Sequence, residues 1–160
     1  MKNPLKQTWA RLVAMQDGML QAFDPAKLTP VRFYALYFSA EWCPPCRAFS
    51  PQLVDWYKKN KAANPNFELI FINRDKSLAE MMHYMKTDAM PWPAVSFEQV
   101  RSTPLSRYCG RGIPCLVFIG SDGKVLSDSY SWGSYRGPQA VLADIDKTLS
   151  KNRSMFVGAR

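Results

Sequence analysis

The chain has 160 residues, 47% apolar and 21% charged, enough for one packed core and unlike a disordered chain or a small scaffold that needs disulfides or metal to fold. Its formal charge of +8 is spread along the sequence, with mild concentrations over 58–61 and 147–160, so a nucleic-acid partner is not expected. No stretch reaches the apolar length of a membrane helix, and residues 1–20 lack the apolar block and small-residue cleavage site of a secretory signal.

With that start the chain reads as a soluble cytoplasmic protein, although a periplasmic or secreted protein in its processed form could begin in the same way. The first element is expected at "RLVAMQDGMLQAF", where Asp17-Gly18 separates two partly alternating apolar runs as in a β-hairpin. Asp24 and Pro25 then suit the cap and first turn of a brief helix. "RFYALYFSA" is continuously apolar, as a central strand covered on both faces should be.

From Pro44 the period changes to that of a helix, with Cys46, Phe49, Leu53, Trp56 and Tyr57 on its apolar positions and Pro51 expected to kink it. Lys58, Lys59 and Lys61 suit its C-terminus before "NPN" ends it. "FELIFINRD" reads as a second buried strand and "SLAEMMHYMK" as a helix, with Ser77 as cap and Glu80 completing a capping box. This strand, helix, strand, helix order implies parallel strands joined by right-handed crossovers.

Residues 87–104, rich in proline and polar side chains, are expected to form an irregular loop, followed by a short helix at "LSRYCG". "CLVFIG" and "VLSDSYS" flank Ser121-Asp122-Gly123-Lys124 as an antiparallel hairpin. "GPQAVLADIDKTLS" forms a last amphipathic helix with Val141, Leu142, Ile145 and Leu149 on one face, and a frayed tail is expected after Ser150. The organisation read from this is a hairpin extension at 1–30, one α/β domain at 31–150 and a tail at 151–160.

The chemistry-bearing residues are four cysteines, Cys43, Cys46, Cys109 and Cys115. The first two, in "WCPPCR" at the start of the predicted helix, are read as a redox couple, as half a zinc site, or as packed thiols. A zinc site would need Cys109, Cys115 or His83 as further ligands, and a C-x5-C spacing across a turn is not the paired C-x-x-C arrangement that zinc favours. No metal or other cofactor is expected. Cys109 and Cys115 are read first as small core residues and second as an accessory redox couple. Met81, Met82 and Met85 read as core and rim filling, and His83 as an ordinary helix residue.

Taken together, "WCPPCR", Pro51 five residues after Cys46, "GIP" at 112–114 and "DGKV" at 122–125 resemble the thioredoxin fold, over residues 31–150 as a single domain. "YFSAEWCPPCR", "FINRD" and "MPWPAV" resemble its tryparedoxin and nucleoredoxin branch. The leading hairpin resembles that of nucleoredoxin-like and membrane-associated reductase domains. The resemblance implies a central mixed sheet flanked by helices, a cis bond at Ile113-Pro114 facing Cys43, and a rim in which Trp42 and Trp92 meet a protein partner. It also implies protein disulfides as substrates of a monomer supplied by an upstream dithiol or reductase. Two departures are visible: Tyr37 replaces the buried aspartate that many thioredoxins place six residues before the first cysteine, and Cys115 follows the proline where the family usually has a small residue such as threonine.

Dithiol exchange needs one accessible thiolate to attack and a second thiol to release the mixed disulfide. At a helix start Cys43 is placed for attack, since the dipole and free amides favour its thiolate, and Cys46, one turn in, is shielded and resolves. Pro44 and Pro45 have no N–H, so the Cys46 amide and thiol are the expected local donors to Cys43. With no histidine between the cysteines, a reductant is expected in place of a disulfide donor. With Tyr37 in the aspartate position, the proton acceptor of Cys46 is left to Glu41 or water. A non-catalytic binding module and a periplasmic reductase for cytochrome maturation are the alternatives.

Overall fold

A computed structural model describes residues 11–158, with side chains through Arg153. Residues 1–10 of the expected extension and residues 159–160 of the tail lie outside the described residues. Within them are three α-helices and nine strands.

The hairpin forms as expected, β1 (Leu12–Gln16) and β2 (Met19–Ala22) pairing across Asp17 and Gly18. Both turn residues have positive φ, 53° and 78°, the geometry whose twist matches that of the flanking strands. Asp24 caps the following 3-10 turn, Pro25–Leu28, by accepting the Ala26 N–H at 2.9 Å. The second strand pair consists of β3 (Phe33–Ser39) and β4 (Phe67–Asn73), which run parallel. Apart from the half-buried Phe33, every residue of both strands is buried, which is why their sequences are continuously apolar rather than alternating.

Helix α1 (Pro44–Asn60) connects β3 to β4 and carries Pro51 in its interior. Helix α2 (Leu78–Thr87) follows β4; Ser77 caps it by accepting the Glu80 N–H at 3.1 Å. Glu80 does not close the expected box onto Ser77, because its carboxylate accepts from the Lys76 N–H at 3.4 Å. The segment expected to be an irregular loop contains a two-residue strand, β5 (Ala94–Val95), and a 3-10 turn, Phe97–Gln99. β5 pairs with both β4 and β1, and so ties the leading hairpin into the main sheet.

The chain then passes through the 3-10 turn Pro104–Tyr108 into β6 (Cys115–Gly120), antiparallel to β3. The expected strand "VLSDSYS" divides in two. β7 (Val125–Asp128) pairs with β6, whereas β8 (Tyr130–Ser131) pairs with β9 (Ser134–Tyr135) in a separate small hairpin. The main sheet has the order β2-β1-β5-β4-β3-β6-β7, with β3 at its centre. Helix α3 (Pro138–Gly158) corrects the expected tail: it continues past Ser150 to Gly158 instead of fraying there.

Buried residues form two clusters, one on each face of the sheet. On one, Phe49, Leu53, Met81, Met85, Val141 and Ile145 from the three α-helices meet Tyr37, Phe71 and Phe118. On the other, the two longer 3-10 turns contribute Leu28 and Leu105 against Leu36, Ile72, Val117 and Cys115. The end of β3, the start of β6 and the start of α1 meet at one edge of this architecture, where the cysteines lie.

Candidate active site

Cys43 is the N-cap of α1, with extended backbone angles, and it is bonded to Cys46 with their Cα atoms 5.2 Å apart. Pro44 and Pro45 occupy the first helical positions, where a missing N–H costs no helical hydrogen bond. As the sequence implies, the one local backbone donor to Cys43 Sγ is the Cys46 amide, at 3.3 Å. Cys43 is less open than its position at a helix end suggests, at 4% exposure, while Cys46 is fully buried. Its cover comes in part from the 113–114 turn: the Ile113 carbonyl oxygen is 3.6 Å from Cys43 Sγ, and the Ile113-Pro114 bond is cis.

The loop carrying Cys43 is held by the end of β4. The Arg74 N–H donates to the Ser39 carbonyl at 2.9 Å, and the Trp42 indole N–H donates to the Arg74 carbonyl at 3.2 Å. Asp75, buried, accepts the Glu41 N–H on both carboxylate oxygens, at 3.0 and 3.2 Å, and is itself fixed by the Asn73 side chain at 2.7 Å. "FINRD" is therefore a clamp on the site loop, a role for Asn73, Arg74 and Asp75 that its reading as a strand end does not disclose. Glu41 turns its carboxylate to His83, with Oε2 and Nδ1 2.5 Å apart, so His83 is a surface partner of Glu41.

Tyr37 belongs to a buried hydroxyl cluster. Its Oη is 2.7 Å from Ser50 Oγ; Ser50 Oγ is 2.5 Å from Tyr84 Oη, which is 2.7 Å from Ser39 Oγ. Burial pushes the phenols of Tyr37 and Tyr84 up, so both stay protonated at neutral pH and the cluster offers no ionised base. Ser50, one turn beyond Cys46 in α1, had no signal in the sequence.

The rim differs from expectation at one tryptophan. Trp42 is 58% exposed beside the cysteines, and Pro44 and Pro45 are exposed with it. Trp92 is fully buried and does not border the site. Its ring packs edge-on against Tyr37 and Tyr57, at centroid distances of 6.2 and 5.6 Å, because β5 draws the loop into the helix-covered face of the core. Of the methionine cluster, Met81 and Met85 are core and Met82 is half-buried.

An open cleft of about 560 Å³ lies against Cys43, lined by Trp42, Arg74, Cys109, Gly110, Arg111 and Ile113 among others. Cys46 is not part of its wall, so Cys43 is the sulfur of the pair that faces it. The β8–β9 hairpin borders the same loop: the Tyr135 hydroxyl donates to the Pro114 carbonyl at 2.8 Å, and the Tyr130 ring covers Gly110 so closely that a Cβ there would sit 2.2 Å from it. Trp132, at the hairpin tip, is fully exposed. No strand of four or more residues announced this hairpin in the sequence.

Cys109 and Cys115 are free thiols, one half-buried and one buried. The Cys115 thiol beside it, together with the Arg74 guanidinium, lowers the Cys109 thiol to about 7 against the opposing effect of burial. Cys115, beside Cys109 and itself buried, is pushed up. Among the described residues no group of three or more His, Cys, Asp and Glu side chains is arranged to hold a metal ion, and no helix is long and apolar enough to cross a membrane.

A family model described as thioredoxin-like matches residues 32–125. A protein of Oryza sativa subsp. japonica called probable nucleoredoxin 3 is 46% identical over 127 residues, which is 74% of this chain and 26% of that one. Tryparedoxin of Trypanosoma brucei brucei is 43% identical over 90 residues, 54% of this chain and 60% of its own. The chain thus spans about a quarter of that nucleoredoxin and less than two thirds of that tryparedoxin. Among solved structures, tryparedoxin II of Crithidia fasciculata superimposes with a TM-score of 0.63 at 32% identity, covering 79% of this chain and 86% of its own.

Proposed function

The chain belongs to the thioredoxin-like family of oxidoreductases, with relatives named nucleoredoxin and tryparedoxin, and on that footing we propose that it reduces protein disulfides by dithiol exchange at Cys43 and Cys46. The observation that carries this reading is the asymmetry of the pair: Cys43 caps the helix and faces the cleft, while Cys46 is fully buried one turn inside. Cys43 thiolate attacks the substrate disulfide, forming a mixed disulfide and expelling one substrate sulfur, which takes up a proton. Cys46, having lost its proton, then attacks Cys43 Sγ, closing the Cys43–Cys46 bond and releasing the second substrate sulfur.

The rim suits an extended peptide. Trp42, Pro44 and Pro45 offer exposed apolar surface beside the sulfur, and the Ile113 backbone lies at its edge, where a substrate segment can pair as an added strand. An upstream dithiol or reductase returns the electrons. The helix-start prolines leave the Cys43 thiolate a single close amide, so the reduced form gains little stabilisation and the couple is expected nearer the thioredoxin value of about −270 mV than the strongly oxidising value of about −120 mV.

The test is turnover of insulin disulfides with dithiothreitol as donor, by the wild type and by Cys43→Ser, alongside titration of the pair in thiol buffers. Wild-type turnover that drops to the uncatalysed rate in Cys43→Ser is the expected result. Equal, negligible rates in both proteins would leave a binding module that holds its partner without exchange.

A further inference from the structure

We propose that Cys109 and Cys115 are a second dithiol that exchanges directly with the Cys43–Cys46 disulfide, Cys109 attacking Cys43 across the cleft that both line. The inference rests on the reading of Cys43 and Cys46 as a redox couple.

Three observations of placement carry it. Cys43 and Cys109 line one cleft, and neither Cys46 nor Cys115 does, so each pair presents one sulfur to the shared space and keeps one behind it. The second pair repeats the asymmetry of the first, with Cys109 half-buried and Cys115 buried. The fold also fixes the distance in sequence between them as a distance in space: Cys115 opens β6 directly opposite Phe38 of β3, five residues before Cys43, while Cys109 ends the 3-10 turn Pro104–Tyr108 with its N–H on the Ser106 carbonyl at 3.2 Å. Cys115 packs in the apolar cluster on this face of the sheet with Cys109 at its margin, where Arg74 lines the cleft beside Cys109.

The chemistry is complete within the chain. Cys109 thiolate attacks Cys43 Sγ, a Cys43–Cys109 bond forms, and the Cys43–Cys46 bond breaks with Cys46 leaving as thiolate and taking up a proton. Cys115 no longer faces an anionic sulfur once Cys109 is bonded, so the largest of the influences that held its proton is gone. It loses that proton and attacks Cys109 Sγ, the Cys109–Cys115 bond forms, and Cys43 leaves as thiolate. Two electrons pass from the second pair to the first, and no outside oxidant or reductant is consumed. A fully reduced molecule would thereby hold four electrons, enough for two substrate disulfides before its donor is needed.

Trypsin sites make the test direct. Cleavage after Arg32, Arg47, Arg107, Arg111 and Lys124 leaves Cys43 with Cys46 on one peptide and Cys109 and Cys115 on two others. Reduced full-length protein is equilibrated in glutathione buffers of stepped ratio, quenched in acid, alkylated and digested without reductant. A Cys109–Cys115 linked pair that grows alongside the Cys43–Cys46 disulfide is the expected result. Cys43–Cys46 cycling while Cys109 and Cys115 are found only alkylated or singly glutathionylated would overturn the inference and leave the first reading intact; failure of Cys43–Cys46 to cycle would overturn the first reading itself. Direct exchange is read from two variants. Cys43→Ala should slow Cys109–Cys115 formation by about tenfold or more, the advantage of a reactant held nearby, and an unchanged rate would overturn exchange through Cys43. Cys46→Ser/Cys115→Ser, which lacks both thiols that could resolve the link, should accumulate Cys43 joined to Cys109 within one chain, with glutathione disulfide in the buffer taking the two electrons. The wild-type map needs no substitution, so it decides even where the double variant fails to fold.

Discussion

The two cysteine pairs sit on either side of one cleft but are supported by different kinds of structure. Cys43 and Cys46 lie at a helix start, with a backbone amide as the local donor to the sulfur and a clamp of Asn73, Arg74 and Asp75 behind the loop. Cys109 and Cys115 lie on a loop and a strand start, with each other's thiols, the Gly110 backbone, Arg74 and Asp128 as their polar surroundings. A helix N-terminus carries its electrostatics wherever it is placed, so the first pair can be recognised from its place at a predicted helix start together with Pro51 and the 112–114 motif. The second depends on where a loop of five intervening residues returns the chain, which no local pattern specifies.

The sharpest break between the pairs is in the reactivity of the reduced protein within the second one. Cys109, its thiol lowered to about 7, should be alkylated by iodoacetamide at a rate that climbs about tenfold per pH unit below 7 and levels above it, because only the thiolate reacts. Cys115, buried and pushed up, should stay unlabelled over the same range. Peptide mapping after short pulses at pH 5 to 9 reads both. Equal labelling of the two would show that they do not share one proton-donating contact.

Each pair also has a support that can be removed without touching the other. Gly110→Ala sets a Cβ 2.2 Å from the Tyr130 ring, which must shift with the β8–β9 hairpin; overpacking of this kind costs about 1–3 kcal/mol. Asp75→Ala leaves the Glu41 N–H without its partner and costs a similar amount, about 1–3 kcal/mol, on the other side of the cleft. Denaturant unfolding gives the two losses, and pulse alkylation shows which cysteine has moved. Gly110→Ala should alter Cys109 labelling with insulin turnover kept, and Asp75→Ala should do the reverse. A change in both readouts from either substitution would mean that the cleft responds as one unit.

Much of the fold was legible in the chain because its signals are local. Asp17-Gly18 could only be a turn needing positive φ twice; Ser77 and Glu80 marked a helix start; the apolar runs of β3 and β4 marked strands covered on both faces. What escaped was set by contacts distant in sequence. Trp92, which the resemblance placed on the rim, is enclosed by Tyr37 and Tyr57 from β3 and α1. β5, β8 and β9, at two residues each, are too short to show an alternating pattern. At the site, Cys43, Cys46, Trp42 and Pro114 were legible from their motifs, whereas the Tyr37, Ser50, Tyr84 and Ser39 cluster and the meeting of Cys109 with Cys115 were not.

Arg74 is the residue that the two pairs share, and it serves them with different atoms. Its backbone N–H and carbonyl hold Ser39 and the Trp42 indole, and so support the Cys43 loop, while its guanidinium stands near Cys109 and over the Phe38 ring, 5.3 Å from the centroid. Arg74→Gln keeps the backbone and removes the charge. Because the neighbouring Cys115 thiol acts on Cys109 more strongly than Arg74 does, the expected effect is small: the pH at which Cys109 labelling reaches half its plateau moves upward, while insulin turnover through Cys43 changes little. The sign follows from the charge, since a cation favours the thiolate and its loss lets the thiol keep its proton to higher pH. The same pulse-labelling series measures it, and a midpoint that stays in place would reduce the support of Cys109 to Cys115 alone, separating the two pairs more completely than their common cleft suggests.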